Sequence, residues 1–129
     1  MDDVRQAHAE PLLFNTWAHS DGWPEQGLTT YEQMQSALND AYQTISRELQ
    51  VPVAPVGTAW ARVLAMPTHP LLWAPDGSHP SLSGTYLAAC VFYATIFHRS
   101  PLGLKYFAGL PSSDAIQLQA VASNTVLGG

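Results

Sequence analysis

The residues able to do chemistry are concentrated in one short run, Pro75-Asp76-Gly77-Ser78-His79-Pro80-Ser81. Asp76 and His79 stand three apart, and a loop of that length can fold a carboxylate back onto the Nδ1–H of an imidazole. Such a bond selects one ring tautomer and leaves Nε2 free to take a proton from a nucleophile. Gly77 between them supplies the backbone freedom that the fold-back needs. The same spacing also serves a purely structural end, with Asp76 capping a turn and His79 standing in solvent. The two residues by themselves leave both readings open.

A second group, Trp17, His19 and Asp21 with Trp23, follows an apolar run that reads as a strand. Open α/β sheets bind ligands beyond the carboxyl ends of their strands, so Trp17, His19 and Asp21 are candidates to line a substrate pocket. The plainer alternative is a solvated loop with packed tryptophans. His8, His19, His69 and His98 show no ligand spacing such as His-x-x-x-His, and no metal or other cofactor is expected. Cys90 is the only cysteine, which excludes an internal disulfide framework and any Cys-rich zinc or iron–sulfur site. Inside an apolar run it reads as a small buried hydrophobe.

The elements that must position these groups follow from periodicity and punctuation. Leu12-Leu13-Phe14-Asn15-Thr16-Trp17 reads as a buried parallel strand entered through Pro11. Thr29 and Glu32 have the form of a capping box. Tyr31, Met34, Leu38, Ala41, Tyr42, Ile45 and Leu49 then mark one apolar stripe of a helix running to about Gln50. Val51 to Val56 reads as a second strand, its prolines near the ends or at a sheet edge. A short helix from Thr58 to about Ala65 follows, with Trp60 and Met66 as core residues. Pro67 to Pro80 is a loop anchored by Leu71-Leu72-Trp73. Ser81 or Ser83 caps a helix reaching His98, with His98 and Arg99 suited to its last turn and Pro101 blocking continuation. A last helix starts near Ser112 or Ser113 and turns Leu118, Val121, Ala122, Thr125 and Val126 to one side.

Alternating strands and helices imply an α/β fold with a parallel sheet covered on both faces. Only two strands are visible, where sheets usually have about four to six. The 129 residues suffice for one domain, yet the pattern reads as part of one.

The segment Asp76-Gly77-Ser78-His79-Pro80-Ser81, followed by Gly84-Thr85-Tyr86-Leu87-Ala88-Ala89-Cys90, resembles the last conserved block of the SGNH (GDSL-type) ester hydrolases. In that family an Asp-x-x-His-Pro loop supplies the acid and base of a Ser-His-Asp triad and leads into a C-terminal helix. Leu12 to Gly22 and Pro55-Val56-Gly57 are similar to later strands of the same fold. The resemblance covers about residues 7 to 100 and treats 101–129 as a C-terminal helical extension. It implies the C-terminal part of a flavodoxin-like, three-layer α/β/α SGNH fold, with Asp76 and His79 as catalytic residues acting on an ester, such as an acylated carbohydrate or a lipid. The family's nucleophile block, Gly-Asp-Ser, and its oxyanion-hole blocks have no counterpart here. Ser78 and Ser81 are too close in sequence to His79 to meet its Nε2, and Ser20 is the one local substitute that spacing allows. The expectation is therefore no nucleophile in this chain and no ester turnover by it alone.

Composition sets the remaining bounds. With 47% hydrophobic and 12% charged residues the chain is not intrinsically disordered. Five Lys+Arg against 10 Asp+Glu, net −5, argue against nucleic acid as a partner. The start, Met1-Asp2-Asp3-Val4-Arg5-Gln6, has neither basic nor apolar signal-peptide regions. The longest apolar stretch, Tyr86 to Phe97, falls short of the roughly 20 residues of a membrane span, so a soluble protein is expected. Two functions remain: the C-terminal half of an SGNH-like serine ester hydrolase, or a non-catalytic truncated α/β module that associates with a partner or with itself through exposed apolar surface.

Overall fold

The structure, a computed structural model, describes residues 1–128. Its elements run α1 (Asp2–Gln6), β1 (Leu13–Phe14), a single 3-10 turn (Pro24–Gln26), α2 (Tyr31–Leu49), β2 (Val53–Ala54), α3 (Val56–Leu64), α4 (Leu82–Phe97) and α5 (Ser112–Leu127). β1 and β2 form a parallel pair with Leu13 opposite Val53 and Phe14 opposite Ala54. The fold mixes helix and sheet but is mostly helical.

Strand side chains alternate between faces, and here the alternation sets the layers. Leu13 lies over Ala41, Tyr42 and Ile45 of α2. Phe14 packs edge-on against Phe92 of α4, ring centroids 4.8 Å apart. One helix therefore covers each face of the pair, α3 continues directly from β2, and α5 lies across α3 and α4. The core gathers Ala54, Val56, Trp60, Val63, Leu72, Leu87, Val91 and Leu118, all essentially inaccessible to solvent.

Several boundaries differ from those read in the sequence, each for a local reason. The strands shrink to two residues apiece, because Pro52 and Pro55 bracket β2 and leave little ladder to pair with. The cap of α2 is Thr30, one residue later than expected: its Oγ1 accepts the Gln33 N–H at 3.1 Å, while Gln33 Oε1 accepts from the Thr29 N–H at 2.7 Å. The box is thus Thr30 to Gln33. α3 begins at Val56, with Gly57 inside it. α4 stops at Phe97, and His98 takes the left-handed conformation at φ +53° and closes the helix instead of lying in its last turn. Leu71 is 80% exposed, so Leu72 and Trp73 anchor the long loop without it. The first residues, read as plain polar chain, form α1, and the Arg5 guanidinium donates to the carbonyls of Leu49 and Gln50 at the end of α2. There the cation meets the negative end of the helix dipole.

Candidate functional site

The Asp76–His79 loop is a closed turn. Ala74 N–H donates to the His79 carbonyl, Gly77 N–H to the Ala74 carbonyl, and Ser81 N–H to the Leu72 carbonyl. Ser81 then caps α4, its Oγ accepting from Gly84 N–H at 3.1 Å. Within the turn the two carboxylate oxygens of Asp76 have separate partners. Oδ1 accepts the backbone N–H groups of Ser78 and His79, both at 2.9 Å. Oδ2 meets His79 Nδ1 at 2.5 Å. The Ser78 N–H first, and then the His79 ring and N–H, hold the carboxyl at about 2, below its usual 3.8. Both features weighed in the sequence coexist, a capped turn on one oxygen and an imidazole contact on the other.

The turn rests on the chain that leaves β1. Trp17 Nε1 donates to the Ser78 carbonyl at 2.8 Å, Ser20 N–H to the Gly77 carbonyl at 2.8 Å, and Trp73 Nε1 to the Ala18 carbonyl at 3.0 Å. Trp17 stacks on Trp60 at 4.7 Å and 12°, Trp60 meets Trp73 edge-on, and Trp73 meets Tyr31 edge-on. Gly77 has φ +69°, and a Cβ there would overlap Ser20 Oγ. Asp76 and His79 thus stand beyond the carboxyl end of β1, on the same side as Trp17.

The remaining sequence candidates are placed differently. His19 and Asp21 are exposed, and among the described residues no hydrogen bond or ion pair ties their side chains to Asp76 or His79. Ser20 is half-buried under Gly77, and no hydrogen bond joins its Oγ to His79. The His79 side chain is 80% exposed and that of Asp76 49%. Nothing among the described residues occupies His79 Nε2.

Sequence reasoning passed over a buried amide cluster that shapes this end of the sheet. Gln35, almost fully buried, accepts the Ala18 N–H at 2.8 Å and donates to the Thr16 carbonyl at 3.1 Å. It also donates to Asn39 Oδ1, which accepts from Asn15 Nδ2 at 2.9 Å. These bonds satisfy backbone groups that left β1 without entering a ladder. The signal was present: Gln35 is four residues from Tyr31 and three from Leu38, inside the apolar stripe of α2.

Elsewhere, Cys90 is buried and its thiol is pushed up to about 11 by burial, which suppresses thiolate chemistry. It borders an apolar cavity of about 380 Å³ with Tyr86, Tyr93, Leu104 and Tyr106, a space that contains neither Asp76 nor His79. Among the described residues no cluster of three or more His, Cys, Asp or Glu side chains gathers as a metal site, and no helix is long and apolar enough to cross a membrane.

No family model and no curated protein matches this chain. A crystal structure does. It is described as a DUF4886 family protein from Bacteroides uniformis ATCC 8492, and it superposes with a TM-score of 0.83 at 21% identity. The match covers 98% of this chain and 52% of that one. The likeness establishes a shared fold, and the chain spans about half the length of the structure it matches.

Proposed function

We propose that this chain is the C-terminal half of an SGNH-like serine ester hydrolase and contributes the acid–base pair, Asp76 and His79. The observation that carries the reading is the Asp76 Oδ2–His79 Nδ1 contact of 2.5 Å on a loop beyond the strand ends. With Nδ1–H held by the carboxylate, Nε2 is the proton acceptor and has no hydrogen-bond partner among the described residues. A serine brought to it would lose its proton to Nε2 as its Oγ bonds to the ester carbonyl carbon. The tetrahedral intermediate then expels the alcohol, which takes the proton back from Nε2, and water repeats the sequence to release the acid. Asp76 stays ionised and stabilises the imidazolium. Trp17, bonded to the same loop, would offer an apolar wall to the acyl or alcohol group, with His19 and Asp21 further out. The substrate class is an ester, such as an acylated carbohydrate or a lipid.

The test is release of p-nitrophenol from p-nitrophenyl acetate, by the chain alone and by the chain joined to the polypeptide encoded in frame upstream of Met1. The reading expects none above buffer for the chain alone, and turnover for the joined protein that His79→Ala removes. Turnover by the chain alone that Ser20→Ala abolishes would overturn it, as would a joined protein indifferent to His79→Ala or inactive.

A second reading has its own observation. Asp76 Oδ1 caps the turn through two backbone N–H groups and the ring of His79 stands largely in solvent, as in a non-catalytic α/β module. That reading expects full stability and no activity in every context.

A further inference from the structure

The unmatched side of the sheet carries information of its own. In the parallel pair, Leu13 and Asn15 direct their N–H groups to Pro52 and Ala54 of the β2 segment, and the Asn15 carbonyl accepts from Gly57. The residue between them, Phe14, therefore points its own N–H and C=O away from β2. Among the described residues neither group has a partner. The Phe14 side chain is 36% exposed although it belongs to a strand.

Both helices beside this edge are apolar toward it. The second half of α2 turns Ala41, Ile45 and Leu49 to solvent, and Ile45 with Leu13, Ala41 and Tyr42 lines an apolar hollow of about 190 Å³. On the other face, α4 has no charged residue from Leu82 to Phe97. A helix apolar all round belongs inside a protein. Yet Ile96, one turn beyond the Phe92 that meets Phe14, is 53% exposed. Unpaired strand edge, α2 stripe and α4 stripe form one open side.

β2 has an outer edge too, and it differs. Pro55 removes an N–H on that outer side and leaves Val53 as the single outward residue that can both donate and accept, which limits further pairing. The stretch Leu12 to Trp17 has no such guard. Of the two edges, β1 is the more receptive.

We infer that the β1 edge, with the flanking apolar faces of α2 and α4, is the docking surface for a complementary α/β half whose own edge strand runs parallel to β1 and whose helices cover Ile45 on one face and Ile96 on the other. The occupant is identified by two observations: the surface asks for one strand between two apolar helices, and the matched crystal structure has nearly as much chain again outside the matched half. Backbone bonds to Phe14 provide strand addition, and the flanking side chains provide register. A strand added there ends on the same rim as Trp17 and the Asp76–His79 loop. On the reading proposed above, that is how a nucleophile reaches His79 Nε2.

The experiment uses the full chain in the cells that make it. Phe14, Ile45 or Ile96 is replaced by photo-crosslinking p-benzoylphenylalanine, with the exposed Ile116 of α5 as the control position, and adduct peptides are sequenced after illumination. The expected result is adducts from positions 14, 45 and 96 in one α/β polypeptide segment, a strand peptide from 14 and helix peptides from 45 and 96. Ile45→Glu with Ile96→Glu should lower the yield from position 14 at least tenfold. Adducts to a second copy of this chain, no adduct, or the same products as the control would overturn the inference. Ester turnover of the joined protein is read separately, so an inactive complex with the expected adducts refutes the hydrolase reading and leaves the docking surface standing.

Discussion

Two ends of the same short sheet are finished to different degrees. Beyond the carboxyl ends of the strands, Trp17, Trp60 and Trp73 interlock, Gln35 satisfies stray backbone groups, and the Asp76–His79 turn is bonded at almost every residue. Along the outer side of β1, a backbone residue is unpaired and two helices show apolar faces to water. The difference separates a turn closed by local packing from an edge left open to solvent. A turn can be closed by its neighbours in sequence and space, whereas an exposed strand edge keeps its donors and acceptors for water or for another strand.

The largest effect should come from the finished end. Trp60 is fully buried under Trp17 and Trp73, and Trp60→Ala should cost about 3–5 kcal/mol, read as a lower urea midpoint by circular dichroism. A loss below about 1 kcal/mol would place the stable part of the molecule elsewhere. Gly84 comes next. A Cβ there would overlap the Leu72 carbonyl and the Trp60 ring, so Gly84→Ala should destabilise by about 1–3 kcal/mol through overpacking, despite the better helix former. Equal or higher stability would show that α4 has room to shift.

Gly77→Ala should cost about 1–2 kcal/mol for the left-handed conformation, plus the overlap with Ser20 Oγ. Adding Ser20→Gly should restore the overlap part alone. Full rescue by Ser20→Gly would mean that the backbone conformation is not strained. Smaller still is the contribution of Asp76. Its carboxyl in the folded chain lies at about 2 against an ordinary 3.8, and a lowered carboxyl stabilises above its unfolded value and loses that contribution as pH falls through the folded one. The acid limb of stability between about pH 4 and pH 2 should therefore flatten in Asp76→Asn, and the Asp76 carboxyl carbon should titrate near 2 by NMR. A midpoint near 4 would dissolve the turn as drawn. The smallest effect belongs to the unfinished side. Ile45→Glu should change stability by less than about 0.5 kcal/mol while reducing fluorescence of a bound hydrophobic dye. A large loss of stability would mean that Ile45 already has a cover.

The sequence was informative where one local signal governs. The α2 stripe, the Pro67–Pro80 loop, the Ser81 cap and the adjacency of Asp76 and His79 all follow from spacing within a few residues. What escaped depends on distant partners. α1 takes its role from an arginine that reaches the far end of α2, 44 residues on. Gln35 looks like a stray polar residue until the chain leaving β1 is set against it. The strand lengths were overestimated because β propensity runs from Leu12 to Trp17, whereas pairing needs a partner and β2 offers only two residues between prolines. At the candidate site the carboxylate–imidazole pair was legible, but its second duty, capping the turn through Oδ1, was a geometric detail that spacing left open.

The prolines on either side of β2 also fix how far assembly can go. A sheet with two receptive edges can recruit copies without end and grow into filaments. One receptive edge and one blunted edge give growth a single direction. Once a strand sits beside β1, the opposite border offers only Val53 next to the donor that Pro55 lacks, too short a ladder to hold the next molecule firmly, so growth through this sheet is disfavoured beyond one addition.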